Sequence, residues 1–360
     1  MKKKILIICP YPENEVPAQR LKYEQYFQHF RDNGYNITVS PFFESIFYKI
    51  IYTEGNYIQK IFGTLFGYVK RIIQIFQIPF YDGIYIFLYV TPFGSSLFER
   101  IYCTLSKKII YDIDDLTFMG KTSKNNSFIS ILRKPDKYFY LMKVADHVIT
   151  CTPFLDSIVK KYNSKTTDIS STINTDKYLP IENYSNDHRL IIGWSGSHST
   201  VPYLQLLVPV LQNLKDKQDF KLLVIGTSNF EIEGVDVEAI PWSEANEVRE
   251  LSRIDVGIYP LPDEEWVLGK SGLKALQYMA LGIPTVATAI GTNFRIIEDG
   301  VSGFLVNTEE EWIRRLSSLL NSGELRKKIG IKGKARVDKF YSIHANKKIY
   351  LQIFNEVYNN

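Results

Sequence analysis

The chain has 360 residues, more than one hydrophobic core usually serves, so two domains are the default expectation. A hydrophobic share of 45% and a charged share of 23% are those of an ordinary globular protein, and a formal net charge of +4 is too mild to argue for a nucleic-acid partner. Three scattered cysteines, Cys9, Cys103 and Cys151, exclude a disulfide framework or a zinc site and read as reduced core residues of a cytoplasmic protein.

At the N-terminus, Met1-Lys-Lys-Lys followed by ILIICPYP has the charge of a secretory leader. Its apolar run is only about six residues and meets prolines instead of small cleavage residues, so it reads as a first buried strand at 4–9. Further strands are expected at 36–40, 83–89, 108–112, 147–151 and 168–171, and then at 190–194, 221–226, 235–240, 255–259, 285–288 and 304–306. Strands this apolar, separated by amphipathic helices, imply an α/β protein of two Rossmann-like, doubly wound units with parallel sheets covered on both faces. The polar, proline-containing stretch 171–189 divides them into domains at 1–175 and 176–341, with a tail helix at about 342–360 that packs back on the first. Ligands of open α/β sheets bind outside the carboxyl ends of the strands, so the chemistry is expected in loops that follow strands, facing an interdomain cleft. No apolar run approaches the roughly 20 residues that span a bilayer, so no integral membrane segment is expected.

In chain order, Gln19 and Arg20 follow the first strand in PYPENEVPAQRLKYEQ, where they face the cleft or belong to a first-turn surface. Across 46–80, apolar and aromatic residues recur at helical spacing, while Lys49, Lys60, Lys70 and Arg71 outnumber Glu54. That pattern fits a helix on an anionic membrane surface, or a pair of core-facing helices with solvated lysines. In IIYDIDDLTF a strand ends in Asp112, Asp114 and Asp115, which serve either as a cap-and-turn cluster or as acceptors and a general base in a cleft.

GWSGSHSTVPYLQLL leads from a strand into a helix, with Ser199 or Thr200 as N-cap. Gly196 permits close backbone approach, and Ser197, Ser199 and Thr200 offer hydroxyls to a diphosphate; His198 inside this motif is a further candidate contact. Trp242 ends another strand, as a stacking partner for a base or as core. Past the acidic loop Asp263, Glu264 and Glu265, a helix opens with Gly269, Lys270, Ser271 and Gly272, and Lys274 lies one turn beyond Lys270. Glycine and lysine at a helix start make an anion site, because unpaired N–H groups and the helix dipole both favour negative charge.

The segment GLKALQYMALGIPTVATAIGTNFRIIEDGVSGFLV resembles the donor-binding segment of family 4 glycosyltransferases, and GWSGS, GKSGLKALQYMA and YDIDD recur together in a divergent branch of that family. Met279, Ala280, Gly282 and Pro284 match its pattern, whereas Gly269 and Gln277 stand where the family carries paired glutamates. The resemblance implies a retaining enzyme of the GT-B fold, with an N-terminal acceptor domain and a C-terminal nucleotide-sugar domain. It implies a nucleoside-diphosphate sugar as co-substrate, a glycan or lipid-linked acceptor from surface polysaccharide or glycoconjugate synthesis, and no metal or other cofactor. Gln277 would then reach the ribose, with Asp263, Glu264 or Glu265 substituting for the sugar-binding carboxylate. Asp114, Asp115 and Lys270 would be catalytic, and the protein would work in the cytoplasm at the inner face of the cell membrane. A hydrolysis-independent nucleotide-sugar epimerase and a catalytically silent nucleotide-sugar-binding scaffold are the alternatives.

Overall fold

The structure, a computed structural model, describes residues 2–51, 53, 55–119 and 134–359. The chain divides into two compact units, Met1–Ser171 with Asn346–Asn360, and Thr172–Ala345.

The first unit holds β1 (Lys3–Cys9), β2 (Tyr35–Pro41), β3 (Gly83–Phe87), β4 (Ile109–Asp112), β5 (His147–Thr150) and β6 (Thr166–Asp168), all parallel in the order β2-β1-β3-β4-β5-β6. Ile5 to Cys9 are buried without a break, as a central strand covered on both faces requires. The third strand stops at Phe87 and does not run on to 89, because Leu88 adopts a left-handed conformation with φ 63°. That residue is held by its N–H to the Asp112 carbonyl (2.9 Å) and by the Tyr111 hydroxyl to its own carbonyl (3.0 Å). The sixth strand lies at Thr166–Asp168, earlier than the expected 168–171, because its partner β5 ends at Thr150, opposite Asp168.

Helix α1 (Tyr57–Ile75) lies close to neighbouring aromatic rings at two glycines. A Cβ on Gly63 would fall 2.8 Å from the Phe47 ring, and one on Gly67 2.6 Å from the Phe42 ring. Helix α2 (Leu97–Leu105) packs beside α1. The last helix of the chain, Ile343–Tyr358, is built into this unit from Asn346 onward: Phe354 stacks on Phe30 at 3.9 Å and Tyr350 lies 4.5 Å from Tyr26. The Tyr358 hydroxyl donates to the Ile84 carbonyl at 2.8 Å.

The second unit holds β7 (Ile191–Ser195), β8 (Lys221–Ile225), β9 (Val237–Ile240), β10 (Val256–Tyr259), β11 (Thr285–Thr288) and β12 (Phe304–Val306), parallel in the order β12-β11-β10-β7-β8-β9. One apolar layer gathers Leu204, Leu211, Trp312 and Leu316, and another gathers Leu276, Tyr278, Met279 and Val337. Helix α3 (Leu273–Ala280) belongs to the second layer. It stops where the sequence turns to LGIP: Gly282 takes φ +72° just past the helix, and Pro284 cannot continue it. The tail helix α4 (Ile343–Tyr358) starts in the second unit and belongs to the first from Asn346 onward.

Candidate functional site

At the carboxyl end of the second sheet, β7 and α3 are fastened to each other. Gly257 in β10 leaves room for the Tyr278 ring, since a Cβ there would lie 2.6 Å from it. Tyr278 is thereby buried against the sheet, and its hydroxyl accepts the Ser195 N–H at 2.7 Å. One turn earlier on α3, Lys274 Nζ lies 3.5 Å from Ser195 Oγ and 3.4 Å from Gln277 Oε1. The glycine-serine stretch 193–200 and the glycine-lysine stretch 269–274 thus meet at the end of β7.

Gly196 and Gly272 in these stretches each have a packing reason. Gly272 caps α3 at φ +72°, and a Cβ would sit 2.1 Å from Ile296 Cδ1. At Gly196 a Cβ would meet the Trp194 ring at 2.2 Å and Thr200 Oγ1 at 2.6 Å. Beyond it, the Ser197 N–H donates to Thr200 Oγ1 at 2.9 Å, and the hydroxyls of Ser197 and Ser199 are 2.9 Å apart at the surface. Ser197 opens the short turn His198–Thr200, and Thr200, one of the two expected caps, is the N-cap residue of the helix Val201–Gln205 that follows. The side chain of His198 lies outside the described residues.

Lys270 follows the short turn Glu265–Gly269 and is half-buried, its Nζ 5.2 Å from the centre of the Trp266 ring. The Trp266 indole donates to the Glu264 carboxylate at 2.6 Å. Glu264, Trp266 and Lys270 therefore form one rim chain, with Asp263 and Glu265 exposed beside it.

Two expected donor contacts are placed differently. Gln277 is fully buried; its Nε2 donates to the Tyr178 hydroxyl at 2.9 Å, and that hydroxyl donates to Glu247 at 3.1 Å. Its amide nitrogen is committed inward, which leaves only Oε1 turned toward Lys274. Trp242, read as a stacking partner for a base or as core, is half-buried on the apolar layer and donates its indole N–H to the same Glu247 at 3.0 Å. Tyr178 and Glu247 went unread in the sequence because 99 residues separate Tyr178 from Gln277 and 69 separate it from Glu247. Ser195 had a local signal, its place between Trp194 and Gly196.

In the first unit, Asp112 is withdrawn from the cluster of three acids: it is fully buried, ion-paired with Lys22 and bonded by the Tyr85 hydroxyl. Asp114 and Asp115 stay half-buried after β4; the Asp114 carbonyl accepts the Cys151 thiol at 2.8 Å, and Asp115 Oδ1 accepts the Leu116 N–H at 2.8 Å. Gln19, expected to face an acceptor, is instead fully buried. Its amide braces the loop after β1, donating to the Tyr11 carbonyl (3.0 Å) and Glu24 (2.9 Å) and accepting the Tyr11 N–H (3.2 Å). Arg20 beside it is half-buried. Burial pushes the Glu24 carboxyl up to about 7. Among the described residues, no group of three or more His, Cys, Asp and Glu side chains is placed to hold a metal ion.

The sequence model of the family "Glycosyl transferases group 1" matches residues 189–322. The match covers just over a third of the chain. The matched residues include β7, α3, Ser195, Lys270 and Lys274. A curated relative, the trehalose synthase of Pyrococcus horikoshii, is 36% identical over 87 residues, which is 24% of this chain and 21% of that protein. The match thus spans about a fifth of that relative's length. The fold is GT-B. Sucrose-phosphate synthase from Thermosynechococcus elongatus superposes with a TM-score of 0.69 at 15% identity, covering 99% of both chains. Anabaena HepE in complex with UDP and glucose gives 0.69 at 14% identity, covering 98% of this chain and 99% of that one. A glycosyltransferase from Rickettsia africae also gives 0.69 at 14% identity, covering 99% and 98%.

Proposed function

We propose that the protein moves a sugar from a nucleoside-diphosphate sugar to a glycan or lipid-linked acceptor in surface polysaccharide or glycoconjugate synthesis, with the anomeric configuration retained. The observation that carries this reading is the junction, inside the matched residues 189–322, of Ser195 at the end of β7 with Lys274 on the first turn of α3. A helix start of this composition favours a diphosphate, and Lys270 and Lys274 add mobile ammonium groups. Negative charge grows on the diphosphate as its bond to the anomeric carbon breaks, so fixed N–H groups and ammonium groups stabilise the transition state more than the bound donor. In the balanced step, the acceptor oxygen bonds the anomeric carbon on the face the diphosphate leaves, and the acceptor proton passes to a departing phosphate oxygen. With two lysines in this part, the proposal needs no metal.

The acceptor is assigned to the first unit, where Asp114 and Asp115 follow β4. Peripheral contact with the inner face of the membrane through residues 46–80 belongs to the same proposal. UDP-glucose is the first donor to try, because the Anabaena neighbour is described with UDP and glucose. Calorimetry should detect its binding, and UDP release should rise when acceptor is added; a product of inverted anomeric configuration would overturn retention. The burial of Gln277, together with Gly269 in the other glutamate place, favours the silent scaffold as the second reading. That reading is supported by nucleotide-sugar binding without turnover under any acceptor.

A further inference from the structure

Helix α1 has its polarity reversed for a helix that faces water. The inward face buries Gly63, Gly67, Arg71 and Gln74. The outward face carries Ile58, Ile61, Leu65, Val69, Ile72 and Phe76, whose exposures run from 50% at Ile72 to 84% at Ile58. Their spacing of three and four residues puts them on one stripe, which at 1.5 Å per residue is about 27 Å long. Tyr57 and Phe80 are exposed at its two ends.

The orientation is locked. The Arg71 guanidinium is fully buried and donates to the carbonyls of Val90 (2.9 Å), Cys9 (3.2 Å) and Ser40 (3.1 Å), to Ser40 Oγ (2.9 Å) and to Gln74 Oε1 (2.9 Å). Rolling the helix to bury the isoleucines would break the four bonds to Val90, Cys9 and Ser40 at once. A stripe so fixed, and so apolar, marks an interaction surface.

Its charge selects the partner. Residues 55–81 include no Asp or Glu, while Lys60 is half-exposed at the start of the stripe and Lys49 is exposed on the preceding helix, Ser45–Ile51. Lys70 is already paired with Glu44. A second copy of the chain docked stripe to stripe would bring these lysines to a helix that, over the described residues 55–81, offers no carboxylate. An anionic lipid surface answers both the lysines and the apolar side chains. The helix is not long and apolar enough to cross a bilayer, which leaves it lying in the surface.

We propose that α1 lies flat on an anionic bilayer, its stripe among the upper acyl chains and Lys49 and Lys60 at the headgroups. This inference rests on the membrane-peripheral reading of residues 46–80. The test uses the full chain, the double variant Leu65→Glu/Ile72→Glu, and vesicles of phosphatidylcholine with or without phosphatidylglycerol. The wild type should sediment with the anionic vesicles and less with the neutral ones, and the double variant should partition about tenfold more weakly or worse. Both positions are exposed, so the variant should keep its circular dichroism melting curve and its UDP-glucose binding in solution. Equal partitioning of variant and wild type, or no vesicle binding by either, overturns the proposal. So does a wild type that is dimeric in the centrifuge, ignores vesicles and becomes monomeric in the double variant. If UDP-glucose fails to bind while the vesicle difference holds, the donor proposal falls and this one stands.

Discussion

Lys274 and Glu24 show how differently two polar side chains act when their surroundings differ. Lys274 is half-buried and reaches Ser195 Oγ and Gln277 Oε1 at 3.5 and 3.4 Å, long contacts that a phosphate oxygen would replace with a charge-assisted bond. Losing such a bond costs about 1.5 to 3 kcal/mol, so Lys274→Ala should weaken UDP-glucose binding by about tenfold to a hundredfold in calorimetry. Unchanged affinity would remove Lys274 from the donor site. Glu24 is a matter of stability. Its carboxyl, ordinarily near 4.5, rises to about 7 through burial, although the Asn14 N–H and Gln19 pull the other way. A carboxyl raised on folding keeps its proton in the folded state where the unfolded chain has lost it. Its contribution is therefore fully present below 4.5 and is lost as the pH rises through about 7. The first unit should lose about 3 kcal/mol of stability across that window, read as a falling urea midpoint by circular dichroism, and Glu24→Gln should flatten the slope.

At the level of elements, α1 and α3 use glycine and a buried polar group to opposite ends. In α3, Gly272 and the Tyr278 hydroxyl bring the helix start to the end of β7, which builds a site. In α1, Gly63 and Gly67 bring the helix against aromatic rings, and Arg71 pins it with its apolar side outward. Removing Arg71 strands several buried acceptors, so Arg71→Met should destabilise the first unit by about 3 to 5 kcal/mol in urea melts. Arg71→Lys should fail to restore it, because an ammonium cannot span acceptors on β1, β2 and the loop after β3 as a planar guanidinium does. A full rescue by lysine would show that charge alone, and not the fork of donors, holds the helix.

Across the whole molecule, the last fifteen residues are covalently downstream of the second unit yet belong to the first. Phe354 is fully buried, stacked on Phe30 and edge-on to Tyr35. Phe354→Ala should cost the first unit about 3 to 5 kcal/mol. Trp194, Trp242, Trp266 and Trp312 all lie in the second unit, so tryptophan fluorescence should report an unchanged transition while circular dichroism loses stability early. Hydrophobic periodicity by itself determined the twelve strands and their parallel class, because an apolar run between amphipathic helices has few other places to go. The anion-seeking stretches around Ser197 and Lys270 were legible for the same reason: glycine, serine and lysine at a helix start carry their chemistry locally. Only the tertiary structure decided that Gln277 and Trp242 turn inward to Tyr178 and Glu247, that Asp112 is spent on Lys22, and that α1 shows its isoleucines to the outside. Each of those outcomes depends on partners far away in the chain or on which face of a helix a buried cation claims, and helical spacing reads the same whichever face turns inward.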